Sequence, residues 1–370
     1  MQLVFDHQVF SFQQHGGVSR YFCEVAERLA GYDGCDVTVL APAYVNAYLA
    51  KLPPSMVVGR HVPPIPYATR LRLLLNGVLA RGWLATARPD VVHETYFSRL
   101  RVAPRRAACV VTVFDMIHER FPEYFSPNDS IPARKAAAVR RAHRVICISE
   151  STRRDLLERL RVDPELVSVV HLAGAPVPAV RPTRPIVDGP YVLYVGPRGG
   201  YKNFEGLLRA VAGSPALRAG VRVVAFGGGP LGVAERALVR EMGLDEGAVV
   251  QMSGDDAALD AAYAFAAAFV YPSRYEGFGI PPLEAMARGC PVVCAANSSL
   301  PEVVGDAAEL CDADDPESIA AAIERVVGSP AHADELRARG RVRSAQFTWD
   351  RCARASYEVY RAAAAMMRRR

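Results

Sequence analysis

The chain has 370 residues, of which 51% are hydrophobic and 22% are charged, and its formal net charge at pH 7 is +5. This composition is typical of a soluble globular protein, and the length exceeds what one hydrophobic core serves, so we expect two domains. No uncharged apolar run reaches about 18 residues. Because Asp6 interrupts the start before a signal-peptide core could form, we expect a cytoplasmic protein rather than a membrane-spanning or secreted one.

Short apolar runs rich in β-branched residues alternate with helical patterns along the first half of the chain. Continuous apolar runs between helices are typical of strands that are buried on both faces, and they predict a parallel sheet. The predicted strands are residues 3–5, 37–40, 91–93, 110–114, 145–148 and 167–170.

Two adjacent glycines, Gly16 and Gly17, follow the first predicted strand and precede an amphipathic helical pattern. Glycine lets the backbone approach a ligand closely. The pair therefore predicts either a loop that lines a ligand or a turn without a ligand.

The segment 67–84 is basic and apolar at once. It contains Arg70, Arg72, Arg81, Leu71, Leu74, Leu75, Val78 and Trp83. It lies in the basic half of the chain, because residues 1–180 hold 22 Lys and Arg against 16 Asp and Glu, a net charge of +6, which leaves −1 for the rest. The segment predicts a helix that either lies on a membrane surface, with its arginines toward anionic headgroups, or packs within its domain. Nucleic-acid binding is not predicted, because the chain has no recognition module or zinc-finger spacing.

Polar residues also follow later strands of the first half. Asp115 and His118 lie just beyond one strand end, and Ser149 lies beyond the next. The carboxyl ends of parallel strands are where open α/β sheets bind ligands. A lone histidine is also a common structural residue, and Ser149 is as good a candidate for a helix N-cap as for a ligand contact.

The segment 176–190, PVPAVRPTRPIVDGP, is too rich in proline for a helix or a sheet and predicts a linker. Beyond it the strand pattern starts again at residues 191–195, 221–226, 249–252, 268–271 and 292–295. The predicted fold class is therefore α/β, with two Rossmann-like, doubly wound domains that face each other across a cleft. We expect domains at 1–175 and 191–346, and helices at 347–370 that pack back on the first domain.

A cationic, glycine-rich loop, GPRGGYKNF, directly follows the first strand of the second domain. Arg198 and Lys202 stand four residues apart in it, just before a helical pattern. A guanidinium suits bidentate contact with phosphate oxygens, and an ammonium adds a point charge. Cations at a helix N-terminus oppose the helix dipole unless an anion is bound, so we expect both to reach one diphosphate.

The segment 272–305, PSRYEGFGIPPLEAMARGCPVVCAANSSLPEVVG, is the most informative part of the chain. It places Glu276 and Glu284 eight residues apart across a turn that opens a helix. Gly277 and Gly279 allow close backbone approach, and the helix N-terminus offers N–H donors to phosphate. The carboxylates then have sugar hydroxyls to bind. The alternative is a helix-start charge at Glu284 and a solvated loop residue at Glu276.

These motifs resemble those of the family 4 glycosyltransferases, which have the GT-B fold, and the resemblance spans essentially the whole chain. It rests on the E-x7-E element (Glu276 to Glu284) and the G-x-R-x-x-x-K-N element (Gly196 to Asn203). The resemblance implies a retaining transferase that uses a nucleotide-activated sugar. It also implies that the first domain binds the acceptor and the second binds the donor.

The resemblance implies a role for each candidate residue. Arg198 and Lys202 would hold the diphosphate, Glu284 would bind the ribose, and Glu276 would touch the donor sugar. The backbone amides of Phe278, Gly279 and Ile280 would contact sugar hydroxyls. In the first domain, Gly16 and Gly17 would line the donor phosphate and the acceptor, His118 would lean over the donor sugar, and Asp115 and Ser149 are candidates for substrate contact.

The predicted function is hexose transfer from a nucleoside diphosphate sugar, with GDP-mannose favoured over UDP- or dTDP-sugars, to a glycan or lipid-linked glycan in bacterial surface polysaccharide synthesis. We expect no cofactor, no metal and no nucleic-acid partner, and peripheral contact with the inner membrane stays open. The alternatives are an isomerase, a phosphorylase, a nucleotide-sugar-binding subunit without activity, or a membrane-bound scaffold. The eight cysteines lie mostly in apolar runs, which favours buried free thiols over a zinc site.

Overall fold

The computed structural model describes residues 1–175, 177, 182–245 and 247–368. Its strands are β1 (Gln2–Phe5), β2 (Asp36–Tyr44), β3 (Val57–His61), β4 (Val91–Glu94), β5 (Ala108–Val113), β6 (Arg144–Cys147), β7 (Val167–Val169), β8 (Tyr191–Val195), β9 (Arg222–Phe226), β10 (Val249–Met252), β11 (Ala268–Tyr271), β12 (Val292–Ala295) and β13 (Glu309–Cys311). Its α-helices are α1 (Gly17–Leu29), α2 (Thr69–Ala87), α3 (Ile117–Arg120), α4 (Ile131–Arg141), α5 (Glu150–Arg159), α6 (Phe204–Gly213), α7 (Pro215–Gly220), α8 (Val233–Glu241), α9 (Asp256–Phe265), α10 (Ile280–Ala287), α11 (Leu300–Val304), α12 (Pro316–Val327), α13 (Pro330–Ser344) and α14 (Trp349–Arg368).

The chain forms two compact units, each built on one parallel sheet. The first unit comprises Met1–Leu172 and Thr348–Arg370, and its sheet has the order β3-β2-β1-β4-β5-β6-β7. The second unit comprises Ala173–Phe347, and its sheet has the order β10-β9-β8-β11-β12-β13. Every strand pair is parallel. This confirms the prediction of two doubly wound α/β domains.

The order of the strands reverses beside the first strand of each sheet. The chain builds outward from β1 to β2 and β3, and then returns to add β4 on the other side of β1. In the second sheet, β8 is followed outward by β9 and β10, and β11 returns to its other side. The loops beyond the two central strands therefore diverge, and this opens a crevice of the kind in which doubly wound sheets bind ligands.

Every predicted strand is present, but β3 and β13 were not predicted. Both are edge strands. β3 (VVGRH) is mostly exposed, and β13 is three residues long and only partly buried. An edge strand is not enclosed on both sides, so it does not need the continuous apolar run that marked the others. Part of the predicted linker 176–190, and Arg369 and Arg370, lie outside the described residues.

The predicted burial of the cysteines is confirmed. All eight are buried and free. Desolvation raises the pKa of Cys23, Cys290 and Cys352 to about 12, so these thiols stay protonated at neutral pH and act as small apolar side chains.

Helix α14 belongs to the first unit and packs against α1 and β5. Its Tyr360 hydroxyl lies 2.8 Å from Nδ1 of His93 on β4, and Nε2 of His93 lies 3.0 Å from the Thr112 hydroxyl on β5. His93 is fully buried, and burial lowers its pKa to about 3. The neutral imidazole therefore links the last helix to the centre of the sheet, since both of its nitrogens have partners.

Helix α2 reverses the usual burial pattern of a surface helix. Its buried positions include Arg72 and Asn76, whereas Leu71, Leu74 and Leu75 are 53–66% exposed. Asn76 exchanges hydrogen bonds with the backbone of Ala43 at 2.8 and 2.9 Å. Arg72 is not available to headgroups, as the membrane-surface alternative requires, because its Nε donates to the Ser11 carbonyl at 2.6 Å. None of the helices in the described part of the chain combines the length and apolar character that crossing a bilayer requires.

We expect Tyr360→Phe to destabilise the first unit by about 1–3 kcal/mol, because it leaves a buried nitrogen of His93 without a partner. Both tryptophans of the chain, Trp83 and Trp349, lie in this unit. Tryptophan fluorescence during urea unfolding therefore measures its stability directly. Tyr357→Phe is the control, because that ring packs on Tyr32 at the surface of the same helix. Equal unfolding midpoints for the two variants would contradict the proposed link.

Candidate functional site

Four loops of the second unit meet at the carboxyl edge of its sheet. They follow β8, β9, β11 and β12, which are consecutive in the order β9-β8-β11-β12. The loops after β8 and β11 flank the point at which the strand order reverses. The arginine–lysine loop and the glutamate loop, which are about 70 residues apart along the chain, are neighbours for this reason.

An ion pair between Lys202 and Glu276 joins the loops after β8 and β11. Lys202 Nζ lies 2.7 and 3.0 Å from the two carboxylate oxygens of Glu276, and 3.2 Å from the Tyr271 hydroxyl at the end of β11. The two side chains are only 17% and 11% exposed, so solvent screens the pair weakly. Burial and the neighbouring Glu276 carboxylate hold the pKa of Tyr271 well above its usual range, and its hydroxyl stays neutral.

Asn203 fixes the end of the β8 loop. It adopts the left-handed conformation (φ 55°) directly before α6, and it is 3% exposed. Its Nδ2 donates to the carbonyls of Pro272 at 3.1 Å and Ala313 at 2.6 Å. One side chain thus ties the β8 loop to the loops after β11 and β13, and so holds Lys202 near Glu276.

Two serines after β12 hold the backbone of the glutamate loop. Ser298 Oγ accepts from the Glu276 N–H at 3.0 Å. Ser299 Oγ lies 2.9 Å from the Glu276 carbonyl and 2.7 Å from that of Phe278, to which it can donate. The backbone is therefore held on both sides of the Glu276 Cα, and this limits where the Glu276 carboxylate can lie.

Arg198 is bound by protein groups rather than open to solvent. Its side chain is 4% exposed and pairs with Glu235 at 2.6 Å. Nη1 donates to the Gly227 carbonyl at 2.9 Å, and Nη2 donates to Gly229 and Pro230 at 3.0 and 3.1 Å. The hydrogen bond from Arg198 lowers the pKa of the Glu235 carboxyl. The guanidinium thus shapes the glycine loop after β9, whose three glycines all have positive φ.

Helix α10 begins after Gly279, whose φ of 111° favours glycine. The predicted phosphate-binding N-terminus is poorer in donors than expected, because Pro281 and Pro282 have no N–H. Phe278 is 3% exposed and Ile280 is partly buried. Glu284 lies in the second turn of the helix, and its Oε1 accepts from the Ala175 N–H at 3.2 Å.

The Gly16–Gly17 pair of the first unit stands at the N-terminus of α1. The Gln13 side chain occupies this end, since its Oε1 accepts from the Ser19 N–H at 2.9 Å. A Cβ on Gly16 would lie 2.4 Å from Gln13 Cδ, whereas one on Gly17 would have no described atom within 4 Å. A side chain at residue 16 would therefore displace the Gln13 side chain from the start of α1, whereas Gly17 faces open space.

His118 lies on α3 and is oriented on two sides. Its Nδ1 is 2.5 Å from Asp129 Oδ2, and its ring stacks on Phe125 with the centroids 3.8 Å apart. Desolvation raises the pKa of Asp129, but the hydrogen bonds from the Ile131 N–H and the His118 ring outweigh this effect, and the pKa is lowered. The carboxylate therefore remains ionised, and Nε2 is the ring nitrogen left to face a ligand.

Asp115 is held by a buried lysine. Lys135, which is 1% exposed, donates to the Asp115 carbonyl and to Glu119 Oε2, each at 2.8 Å. Asp115 Oδ1 accepts from the Ile117 N–H at 3.1 Å.

Ser149 is the N-cap of α5 and accepts from the Thr152 N–H at 3.0 Å. The structure thus shows the capping contact, which one of the two hypotheses for Ser149 predicted.

The structure brings Lys202 and Glu276 into contact, whereas Arg198 and Glu284 bind other partners. Sequence reasoning gave no role to the residues that pair with the candidate side chains or position them: Glu235, Asn203, Tyr271, Ser298, Ser299, Asp129 and Lys135. Some had a local signal. Asn203 precedes a helix and the two serines precede another, which are positions where side chains bind backbone groups.

Comparisons with known proteins agree with the motifs. The family model "Glycosyltransferase Family 4" matches residues 15–173, and "Glycosyl transferases group 1" matches residues 180–343. O-antigen chain mannosyltransferase B of Escherichia coli is 28% identical over 369 residues, covering 93% of this chain and 96% of the relative. A D-inositol 3-phosphate glycosyltransferase of Nocardioides sp. is 30% identical over 403 residues, covering 95% and 86%. The solved sucrose-phosphate synthase of Thermosynechococcus elongatus has a TM-score of 0.73 at 21% identity, covering 98% of both chains.

We expect Asn203→Gly to destabilise the second unit by about 1–3 kcal/mol through the loss of two buried hydrogen bonds. Asn203→Ala should cost about 1–2 kcal/mol more, because alanine strains in the left-handed region. Differential scanning calorimetry on both variants separates the two effects. An unchanged glycine variant would contradict the bonds to Pro272 and Ala313, and equal variants would contradict the backbone strain.

Proposed function

The chain belongs to family 4 of the glycosyltransferases and has the GT-B fold, and we propose that it transfers a hexose from a nucleoside diphosphate sugar with retention of configuration. The observation that carries this proposal is the contact of Lys202 with Glu276 at the strand-order reversal of the second sheet. A cation suited to phosphate and a carboxylate suited to sugar hydroxyls stand 2.7 Å apart there. In a sugar diphosphate, a phosphate and a sugar with hydroxyls lie on either side of one glycosidic oxygen, so the ligand matches both side chains.

Lys202 would bind the diphosphate, and Glu276 would bind the donor sugar. The pair is preorganised, since Tyr271 and the two serines after β12 hold it in place without the ligand. Preorganised charges stabilise a transition state without the cost of reorienting when the reaction occurs.

Arg198 would hold the glycine loop after β9 in place beside the diphosphate. Its guanidinium already binds Glu235 and the carbonyls of residues 227 and 229–230. An incoming phosphate would have to compete with Glu235 or bind the remaining N–H of Nη1. Arg198 would therefore combine the support of the loop with charge stabilisation.

The start of α10 would bind the nucleoside and sugar. Glu284 would accept from the ribose hydroxyls, in exchange for its bond to the Ala175 N–H. The amides of Phe278, Gly279 and Ile280 would contact sugar hydroxyls. Because Pro281 and Pro282 contribute no N–H, this helix suits neutral hydroxyls better than a phosphate.

Residues of the first unit would act on the sugar and the acceptor. His118 is oriented by Asp129 and would lean over the donor sugar. Gly17 stands beside open space and Gly16 shapes the same turn. Asp115 would contact the acceptor. The bond of Ser149 to the Thr152 N–H supports a structural role for this serine, in addition to a contact with substrate.

The reaction would need no protein nucleophile. The bond between the anomeric carbon and the diphosphate oxygen breaks, and an acceptor hydroxyl forms the new bond on the same face of the sugar. The departing phosphate takes the acceptor proton. Negative charge grows on the phosphate oxygens, where Lys202 and Arg198 stabilise it. Since two cations are available for this charge, we propose a metal-independent enzyme, whose rate should not fall in a chelator.

The donor we propose is GDP-mannose, and the acceptor is a glycan or lipid-linked glycan of a bacterial surface polysaccharide. The mannosyltransferase relative from Escherichia coli supports the sugar. We also propose peripheral contact with an anionic membrane through α2. Leu71, Leu74, Leu75, Val78 and Leu79 are exposed on it, and no Asp or Glu occurs between Asp36 and Asp90.

We expect Lys202→Ala and Arg198→Ala to weaken the binding of nucleoside diphosphates far more than that of nucleoside monophosphates. Each should lower kcat by about 10²–10³, since losing one oxyanion donor costs about 2.7–4 kcal/mol. Glu284→Ala should weaken the binding of diphosphates and monophosphates equally, because both carry the ribose. Calorimetric titration measures the affinities, and thermal unfolding of each variant checks its fold. Arg209→Ala is the control, because that exposed arginine pairs only with Glu205 on α6 in the described structure. Normal turnover in a folded Arg198→Ala variant would discard its assignment.

We expect GDP to stabilise the protein against thermal unfolding more than UDP, dTDP or ADP. A ligand present at a hundred times its Kd adds about 2.7 kcal/mol, which a thermal-shift assay resolves. A larger shift with UDP or dTDP would support the alternative donor. Slow hydrolysis of the preferred donor by excess enzyme would exclude the remaining alternative, a binding subunit without activity.

A further inference from the structure

One carboxylate, that of Glu235, binds three N–H donors at the start of α8. Its Oε1 accepts from Arg198 Nε at 2.6 Å, and its Oε2 accepts from Arg198 Nη2 at 3.2 Å. The same Oε2 also accepts from the Gly232 N–H at 2.6 Å. A guanidinium fork and the N–H groups at a helix start are donors that proteins commonly use for phosphate. The Glu235 side chain therefore fills a preformed anion site.

The glycine loop after β9 encloses the rest of the Arg198 guanidinium. Nη1 donates to the Gly227 carbonyl at 2.9 Å, and Nη2 donates to the Gly229 carbonyl at 3.0 Å. A Cβ on Gly228 would lie 2.7 Å from Nη1, so the loop already crowds that side of the guanidinium. The edge that Glu235 covers is the one at which the fork can bind two oxygens of one anion.

The helix that carries Glu235 is loosely attached to its domain. The Glu235 side chain is 30% exposed, whereas that of Arg198 is 4% exposed. None of the nine residues of α8, all of which the structure describes, is buried. Leu238 and Val239 pack on the core of the second unit but are only partly buried. Segments with few buried contacts open at a low cost in free energy, so Glu235 can leave the guanidinium while the sheet stays folded.

The charges of Glu235 and of a phosphate exclude each other at this site. The hydrogen bond from Arg198 lowers the pKa of the Glu235 carboxyl, so the carboxylate is ionised at neutral pH. A diphosphate bound beside it would place like charges on one guanidinium, which is unfavourable. Arg198 can therefore bind Glu235 or a phosphate on this edge, but not both.

We propose that Glu235 is an internal competitor of the donor: its carboxylate occupies the anion site formed by Arg198 and Gly232, and the donor diphosphate binds there by displacing it. Glu235 would thus lower the affinity for the donor. After transfer, its return to Arg198 would favour release of the nucleoside diphosphate. This inference rests on the proposed function and adds to it a residue that sets donor affinity.

Two other roles for Glu235 predict different results. A capping role needs only the bond to the Gly232 N–H, and a glutamine at the same helix position caps as well as a glutamate. It predicts no change in donor binding when the charge is removed. A positioning role, in which Glu235 holds Arg198 toward the donor, predicts weaker binding. Competition alone predicts tighter binding.

The test is calorimetric titration of wild type and Glu235→Gln with GDP and GMP, the nucleotides that match the proposed donor. We expect the Kd of GDP to fall about tenfold in the variant, because a charge-assisted hydrogen bond is about twice as strong as the neutral one that replaces it. The Kd of GMP should change much less, since GMP lacks the second phosphate. An unchanged or higher Kd of GDP in the folded variant would overturn the proposal.

Glu241→Gln is the matched control, because Glu241 lies at the exposed far end of the same helix. This variant loses the same charge without touching Arg198, so its affinity for GDP should equal that of the wild type. An equal gain in both variants would indicate a general effect of charge and would overturn the proposal.

The Arg198→Ala background locates the competition. Because the two anions compete for Arg198, adding Glu235→Gln to Arg198→Ala should not tighten the binding of GDP. A gain that persists in this background would overturn the assignment to Arg198. Thermal unfolding checks the fold of each variant, and Glu235→Ala replaces Glu235→Gln in the comparison if the latter does not fold.

The failure of this inference differs from the failure of the proposed function. Loss of GDP binding in Lys202→Ala, together with unchanged binding in Glu235→Gln, would defeat the competitor and leave the donor site standing. A wild type that binds none of the nucleoside diphosphates in the thermal-shift assay would defeat the proposed function instead.

Discussion

The ion pair between Lys202 and Glu276 is the interaction on which the candidate site depends. It joins the loops that diverge from β8 and β11, and both partners lie in a weakly hydrated position. Its geometry is set by neutral side chains. Asn203 ties the β8 loop to the loops after β11 and β13, and Ser298 and Ser299 hold the backbone of Glu276. The charges are thus placed before any ligand arrives, which is the condition for electrostatic stabilisation of a transition state.

The two sheets share one topological constraint but use it for different chemistry. In each, the strand order reverses beside the first strand, and loops from neighbouring strands open a crevice. The crevice of the second sheet is lined by ion pairs and backbone amides, which suit a sugar diphosphate. A pocket of the first unit, between α2 and the start of α4, is lined mainly by apolar residues and also by Arg81 and Arg134.

Sequence patterns predicted the central strands and the edge strands β7 and β10, but not the edge strands β3 and β13. A central strand must be apolar throughout because both faces are covered, so β1, β5, β8 and β12 were recognisable. The edge strands β3 and β13 lacked that pattern. Helix α2 was predicted as a helix, but its orientation was not, because Arg72 and Asn76 are buried against backbone carbonyls of Ser11 and of Ala43 on β2, which are distant in sequence. Periodicity alone assigns such polar residues to solvent.

The sequence by itself determined which residue types stand where two parallel strands end, and hence the family, the α/β class and the charged groups of the proposed donor site. Only the tertiary structure decided how those charges are paired. Arg198 meets Glu235, and Lys202 meets Glu276, across separations of 37 and 74 residues. The physical reason is that a loop's composition follows from local backbone needs, whereas the partner of a charge is chosen by the order in which strands add to the sheet.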